Sequence, residues 1–407
     1  MPDTPDTVLP FGKRVRRLRE RRGLTRPVLG GLVGRSAEWV KAIECGRLST
    51  PRLPLLMRLA DVLAVDDLAE LTGEERLSAS TYAKTAHEGL PAVKAALTNY
   101  RFDRDEEPDS VESLRARVAE AWRHWHASGR HRTRIAALLP DLLGDVQHAV
   151  RTAEGAERRR AQALLAEVYH LAQLFLSFQP AAELVMLTGD RAMGAAQDAD
   201  SPRAIAGAAW YMNHVFRDAG ERSEARVELA MRAADLLEPE RDADSLARWG
   251  LLQLAAALSY AKIGRRGDAE RFWELADGAA RRLGPNYSHP YLIFGRGMVA
   301  AYAITVQADL VRGRDAVEAA DAVDVSGMPS ATRRAFHTLE SARAYSLRKE
   351  PLAVVHLLKR AHDESPETTR FNRFARGAVS ELSATGSALV RSDAEALRQR
   401  MGVPAVA

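Results

Sequence analysis

The sequence predicts an all-α protein in two parts, a small five-helix head followed by a long array of helical hairpins. Three observations carry that reading. Apolar residues recur at three- and four-residue spacing along most of the 407 residues, and no segment alternates with the two-residue period of a strand. The net positive charge is confined to the first 73 residues. Two segments in the middle of the chain repeat the same helix–turn–helix pattern.

The head is read from its caps and stripes. Phe11, Val15 and Leu18 form the apolar stripe of an arginine-rich first helix that Gly23 ends. Thr25 is a good N-cap for a second helix, with Pro27 in its first turn, where a missing N–H costs little. Val28, Leu29, Leu32 and Val33 are expected on its buried face, and Gly34 closes it. Ser36 caps a third helix, GRSAEWVKAIECGR, in which Val40 and Ile43 turn inward and Gly46 is the stop. Leu55, Leu59 and Leu63 line one face of a fourth helix, and DLAELTG makes a short fifth.

Charge placement adds a functional hint. Residues 1–73 hold 13 Lys/Arg against nine Asp/Glu, whereas the remainder holds 45 of each. In FGKRVRRLRERRGLTRPVLGGLVGR nine basic residues face one acid, Glu20. A basic run on one small domain of an otherwise neutral chain points to a polyanion.

Leu18 to Pro51 resembles the lambda-repressor-like helix-turn-helix of the XRE family, through LRERRGLT, VLGGLVG, the capping Ser36 and VKAIECGRLSTP. The resemblance covers about residues 11–73. It implies a recognition helix that offers Ala37, Glu38, Lys41 and Ala42 to the major groove. It also implies phosphate contacts from Arg26, Arg35 and Arg47, with weaker ones from Arg14, Arg17 and Arg21. Glu38 can accept from cytosine N4, and Ala37 or Ala42 can touch a thymine methyl; Glu38 equally suits the positive end of a helix. The family's amide side chains are absent at Ala37 and Ala42, so affinity should come mainly from phosphates. Trp39 fits packing better than base contact. Glu44 matches a family position that bonds within the domain.

Residues 74–110 read as a linker with a short helix, and 1–10 as a disordered tail. From 111 to 385 helix follows helix. WYMNHVFRDAGERSEARVELAMRAADLLEP and LAAALSYAKIGRRGDAERFWELADGAARRLGP align. Each has an aromatic four residues before a Gly (Phe216–Gly220, Tyr260–Gly264) and an Ala five after it (Ala225, Ala269). Weaker echoes centre on Ala182, Ala316 and Ala353. This resembles the tetratricopeptide repeat, which implies an α-solenoid whose first helices line a concave surface. On that surface Trp210, His214 and Arg217 form a stripe apart from the core Phe216 and are nominated as a ligand groove; Glu167 takes the place of Trp210 one unit earlier. Residues 386–407 make a C-terminal helix, capped by Ser392 or Asp393, and a tail. Phe371, Phe374 and Val379 are expected to cover the end of the stack.

Several chemistries find no support. His124, His126 and His131 lack ligand spacing, so no metal is expected. No nucleophile elbow, phosphate-cradling glycine loop or zinc-protease motif occurs, so no catalytic residue, cofactor or enzyme activity is expected. The lone Cys45 excludes a disulfide framework within the chain. There is no membrane span or recognisable leader, and a cytoplasmic location is expected.

Together these readings predict a DNA-binding transcriptional regulator. The family resemblance, to regulators of the actinobacterial type, implies a homodimer on a pseudo-palindromic duplex operator. It also implies a helical domain that responds to a peptide, small molecule or protein. The alternative is a protein–protein adaptor whose helix-turn-helix is a docking module.

Overall fold

The computed structural model describes residues 9–73, 84–100, 109–219 and 223–404. Most of the expected tail, much of the linker, the turn residue Gly220 and the Arg217 side chain lie outside the described residues. Within them the fold is all-α, as predicted, and holds no strand.

The head comprises α1 (Phe11–Arg21), α2 (Arg26–Leu32), α3 (Ala37–Glu44), α4 (Leu53–Leu63) and α5 (Leu68–Thr72). Its capping follows the sequence. The Thr25 hydroxyl accepts from the Val28 N–H, and Ser36 Oγ accepts from the Trp39 N–H at 3.0 Å. Gly23, Gly34, Gly46 and Gly73 take the left-handed conformation after their helices. At Gly30 a side chain would meet the Arg35 carbonyl oxygen at 2.8 Å, so only glycine lets α2 pass this close to the turn before α3. Val15, Leu18, Leu29, Val40, Ile43, Leu56, Leu59 and Leu63 form one core. The expected face of α2 is half right. Leu29 and Val33 are fully buried, but Val28 and Leu32 are 48% and 56% exposed, because on this short helix they point a quarter-turn away from the core.

The helical body begins earlier than expected. α6 (Leu90–Thr98) buries Val93 and Leu97 in the main core, so this part of the linker packs as body. α7 (Val111–Ala127) and α8 (His131–Thr152) follow. Five hairpins come next: α9 (Gly155–Leu176) with α10 (Ala182–Asp198), α11 (Pro202–Ala219) with α12 (Ser223–Ala234), α13 (Ala243–Lys262) with α14 (Arg266–Leu283), α15 (Arg296–Asp309) with α16 (Gly313–Ala322), and α17 (Ala331–Leu347) with α18 (Pro351–Glu364). Each pair is antiparallel and packs on its neighbours, as in a solenoid. Left-handed residues stand four or five positions before the repeated alanines: Phe178, Gly264, Val311 and Lys349. Three of the four are not glycine, which explains why these hairpins echo only weakly in sequence. Ala269 and Ala316 are fully buried at the helix contact.

The chain ends with α19 (Pro366–Phe371), α20 (Arg373–Thr385) and α21 (Ala388–Arg400). Phe371 and Val379 are buried there as expected. Ser392 and Asp393 do not cap α21, which starts four residues earlier, after Ser387. The body curls until its ends meet. Glu367 accepts from the Arg132 N–H at 2.5 Å and from Thr133 Oγ1, and His126 bridges Ser330 Oγ and the Tyr291 carbonyl at 2.9 Å each. No helix among the described residues is long and apolar enough to cross a membrane.

Candidate nucleic-acid interface and the cavity of the body

The α3 side chains divide into two sets. Glu38 and Lys41 stand on the outer surface with Arg47 just beyond the helix; Glu38 lies 3.6 Å from Lys41 and 3.8 Å from Arg47. Arg35 sits over the Trp39 ring at 6.0 Å and donates to the Gly34 carbonyl. Arg17 of α1 is exposed as well. Screened contacts of this length fix little by themselves and leave the cations able to meet phosphates.

Two predicted phosphate contacts are built into the head instead. Arg14 is 5% exposed, and its guanidinium donates to the carbonyls of Leu9 and Glu70. It ties α1 to the C-terminal end of α5, where backbone carbonyls favour a cation. Arg14 is therefore structural. Arg26 donates to Glu44 at 2.7 Å, opposite Arg19 at 2.6 Å. The Glu44 carboxylate is buried between the two guanidiniums, in keeping with its assignment to the domain's interior.

Ala42 departs furthest from expectation. It is fully buried against Ile304 and Ala308 of α15, Val311, Ala316 of α16, and Ala344 and Leu347 of α17. In this arrangement its methyl meets the body and not solvent. Trp39 and Leu48 pack on both this cluster and the head core. Ala37, at the start of the helix, is half-buried. At the other end of the contact Gly264, with φ of +77°, lies so close to the head that a Cβ on it would stand 2.5 Å from the Ser36 Cβ. The turn of the second aligned segment thus abuts the N-cap of the recognition helix.

The nominated groove is also displaced. The Trp210 ring is fully buried, edge-on to His214 at 4.5 Å and to Tyr302 at 6.2 Å. Its size and apolar area place it in the core rather than on an open stripe. His214 is half-buried beside it.

The space lies one turn earlier, on the first helices of consecutive hairpins. A cavity of about 220 Å³ is lined by Glu167 and His170 of α9, Arg203 and Gly207 of α11, Asp244 and Arg248 of α13, and the rings of Trp122 and Tyr291. Burial raises the Glu167 carboxyl to about 7, a shift that Arg248 opposes and Asp244 assists. Burial also pushes Asp244 upward, but His289 and Arg248 outweigh it and hold that carboxyl well below its ordinary value. Burial, aided by Arg248, lowers His170 to about 3, so this imidazole is neutral. A larger open cleft of about 500 Å³ beside Tyr345 and Arg360 has no orphaned buried polar atom among the described residues. Sequence reading reached Glu167 only as the counterpart of Trp210. Its single signal is an acid among the apolar residues Leu164 to Val168 of the inner helix.

Comparison with known proteins agrees on the head. Residues 10–72 match the family model described as "Helix-turn-helix domain". No curated protein matches the chain. Among solved structures, ComR from S. thermophilus, in complex with DNA and its signalling peptide ComS, aligns with 96% of this chain and 99% of that chain. The identity is 13% and the TM-score 0.25, so no residue of one chain is placed on the other. The chain therefore carries an N-terminal helix-turn-helix domain.

Proposed function

We propose that the protein is a cytoplasmic DNA-binding transcriptional regulator of the XRE type found in actinobacteria, and not an enzyme. In this reading it binds a pseudo-palindromic duplex as a homodimer. Its tetratricopeptide-like body receives an effector that changes how the head is held. Glu38 and Lys41 face the bases, with Ala37 beside them. Arg17, Arg35 and Arg47 meet phosphates, while Arg14 and Arg26 are engaged within the head.

One observation supports this reading above the others: the helix-turn-helix matches its family, while Ala42 of its third helix is covered by the body. Placing α3 fully in a major groove, with Ala42 at the bases, requires that cover to part. An effector then acts if it binds the parted arrangement better than the covered one, since equal affinity for both shifts nothing. His214 remains part of the proposed sensing surface, behind the cavity rather than on it.

Retention of genomic duplex fragments by the purified protein at low salt is the test. Retained fragments sharing a sequence with two half-sites support the reading. Failure to retain any duplex, with or without cell extract, sinks it in favour of the adaptor.

A further inference from the structure

We propose that the cavity between α9, α11 and α13 is a site for a primary ammonium group carried beside an aromatic ring. This inference rests on the reading of the body as the effector-receiving part and names the chemistry of that effector.

The cavity holds an unpaired carboxyl group. Among the described residues Glu167 receives no hydrogen bond or ion pair, only longer-range fields from Arg248, Asp244 and Arg115. The nearby cations are already engaged. Arg248 pairs with Asp244 at 2.9 Å and donates to the Arg203 carbonyl, while Arg203 pairs with Asp242 at 2.5 Å and Asp244 at 3.3 Å. Three carboxylates thus share two guanidiniums, and Glu167 is the one left over. A carboxylate held in such a place is stabilised most by a cation that enters with hydrogen-bond donors of its own.

The walls specify what surrounds that cation. Trp122 is 1% exposed and His170 4%, both line the cavity, and Trp122 Nε1 and His170 Nε2 have no hydrogen-bond partner among the described residues. Tyr211, behind the cavity wall, stacks on His170 at 4.5 Å and holds its ring in place. Buried polar atoms of this kind ordinarily have partners; neutral His170 can accept from an entering ammonium at Nε2, whereas the Trp122 N–H needs an acceptor and does not itself bind the cation. Trp122 and Tyr291 stand with ring centres 5.8 Å apart, a wall suited to an aromatic body and to a cation over a ring face. Gly207 keeps the space open, since a Cβ there would meet Arg248 at 3.3 Å and His170 at 3.5 Å.

An ammonium group can belong to a small amine or to the amino terminus of a peptide, and matched probes separate the two. Calorimetric titration of the full-length protein would use tryptamine, N-acetyltryptamine, and tryptophanyl-glycyl-glycine with a free or an acetylated amino terminus. The inference predicts binding of at least one free-amine probe, none by its acetylated partner, and at least about tenfold weaker binding to Glu167→Gln, a difference of about 1.4 kcal/mol. Tryptamine alone binding identifies a small amine; the free tripeptide binding as well or better identifies a peptide terminus. Glu167→Gln keeps the side-chain shape, and its melting temperature, measured alongside, shows that it is folded. Equal binding of free and acetylated probes overturns the inference. So does undiminished binding by Glu167→Gln, or no binding of either free amine. Duplex binding by the same preparations, measured without probe, reports separately on the regulator reading.

Discussion

Gly264 and Ser36 touch across 228 positions of sequence, and no side chain fits between them. The glycine is the left-handed turn of one body hairpin, and the serine is the N-cap of α3. This contact, with the buried Ala42, fixes how the head sits on the body.

Substitution at this contact should show coupling. Gly264→Ala adds a Cβ at a left-handed position, which costs roughly 1–2 kcal/mol, and also drives it into Ser36. Ser36→Gly alone should cost only a few tenths of a kcal/mol. In a double-mutant cycle by chemical denaturation, Gly264→Ala should be milder by about 1 kcal/mol when Ser36 is already glycine. Strict additivity would show that the contact contributes nothing.

Glu44 gives a second expectation. Replacing it with alanine leaves Arg19, a 9% exposed guanidinium, without its buried carboxylate and with only the exposed Glu20 at 3.4 Å. Loss of one partner of a buried pair typically costs about 3–5 kcal/mol. The unfolding of the head, followed by amide exchange in α1 to α3, should become easier by about that amount. A loss below about 1 kcal/mol would mean that Arg19 finds water or another acceptor.

The two ends of the caps were legible in sequence because each depends on neighbours within four residues. Thr25, Ser36, Gly23, Gly34 and Gly46 are of this kind. Val28 and Leu32 were misplaced because four apolar residues among six leave the orientation of a two-turn helix open. Ala42 was misread for a different reason. Its partners, Ile304 to Leu347, lie 262 to 305 residues on, and an alanine suits a groove and a helix contact equally. The turns at Phe178, Val311 and Lys349 were hidden because their left-handed backbone is carried by residues that do not announce it. Trp210 and Glu167 exchanged roles. The aromatic went to the core for its area, and the acid was left facing the cavity.

The acid in the cavity makes stability depend on pH. Its folded value of about 7 lies above the ordinary 4.5, so protonated Glu167 is favoured on folding. Its contribution is fully present below about pH 4.5 and is lost as pH rises through about 7. Glu167→Gln should therefore match the parent at pH 4.5 and be more stable at pH 8, by on the order of 2 kcal/mol after allowance for water in the cavity. Denaturation at the two pH values checks this, and an equal difference at both would contradict it.

Glu367 should behave in the opposite sense. Burial alone would raise it, but the His87 ring 3.6 Å away and hydrogen bonds from Thr133 and the Arg132 N–H outweigh that and hold it at about 2. The stability it contributes is present above about 4.5 and is lost as pH falls towards 2. Glu367→Gln should cost on the order of 2 kcal/mol at pH 7 and much less near pH 2. Denaturation midpoints across this range test whether the closing contact with Arg132 and Thr133 holds the ends of the body together.

The central claim is that the head holds duplex DNA through the cations around α3. Its most direct test is the salt dependence of duplex affinity for the parent and for the double substitution Arg35→Ala, Arg47→Ala. The account predicts that log affinity falls linearly with log salt, and that removing two phosphate contacts flattens the slope by about 2. A duplex affinity indifferent to salt, or a slope unchanged by the double substitution, would contradict it.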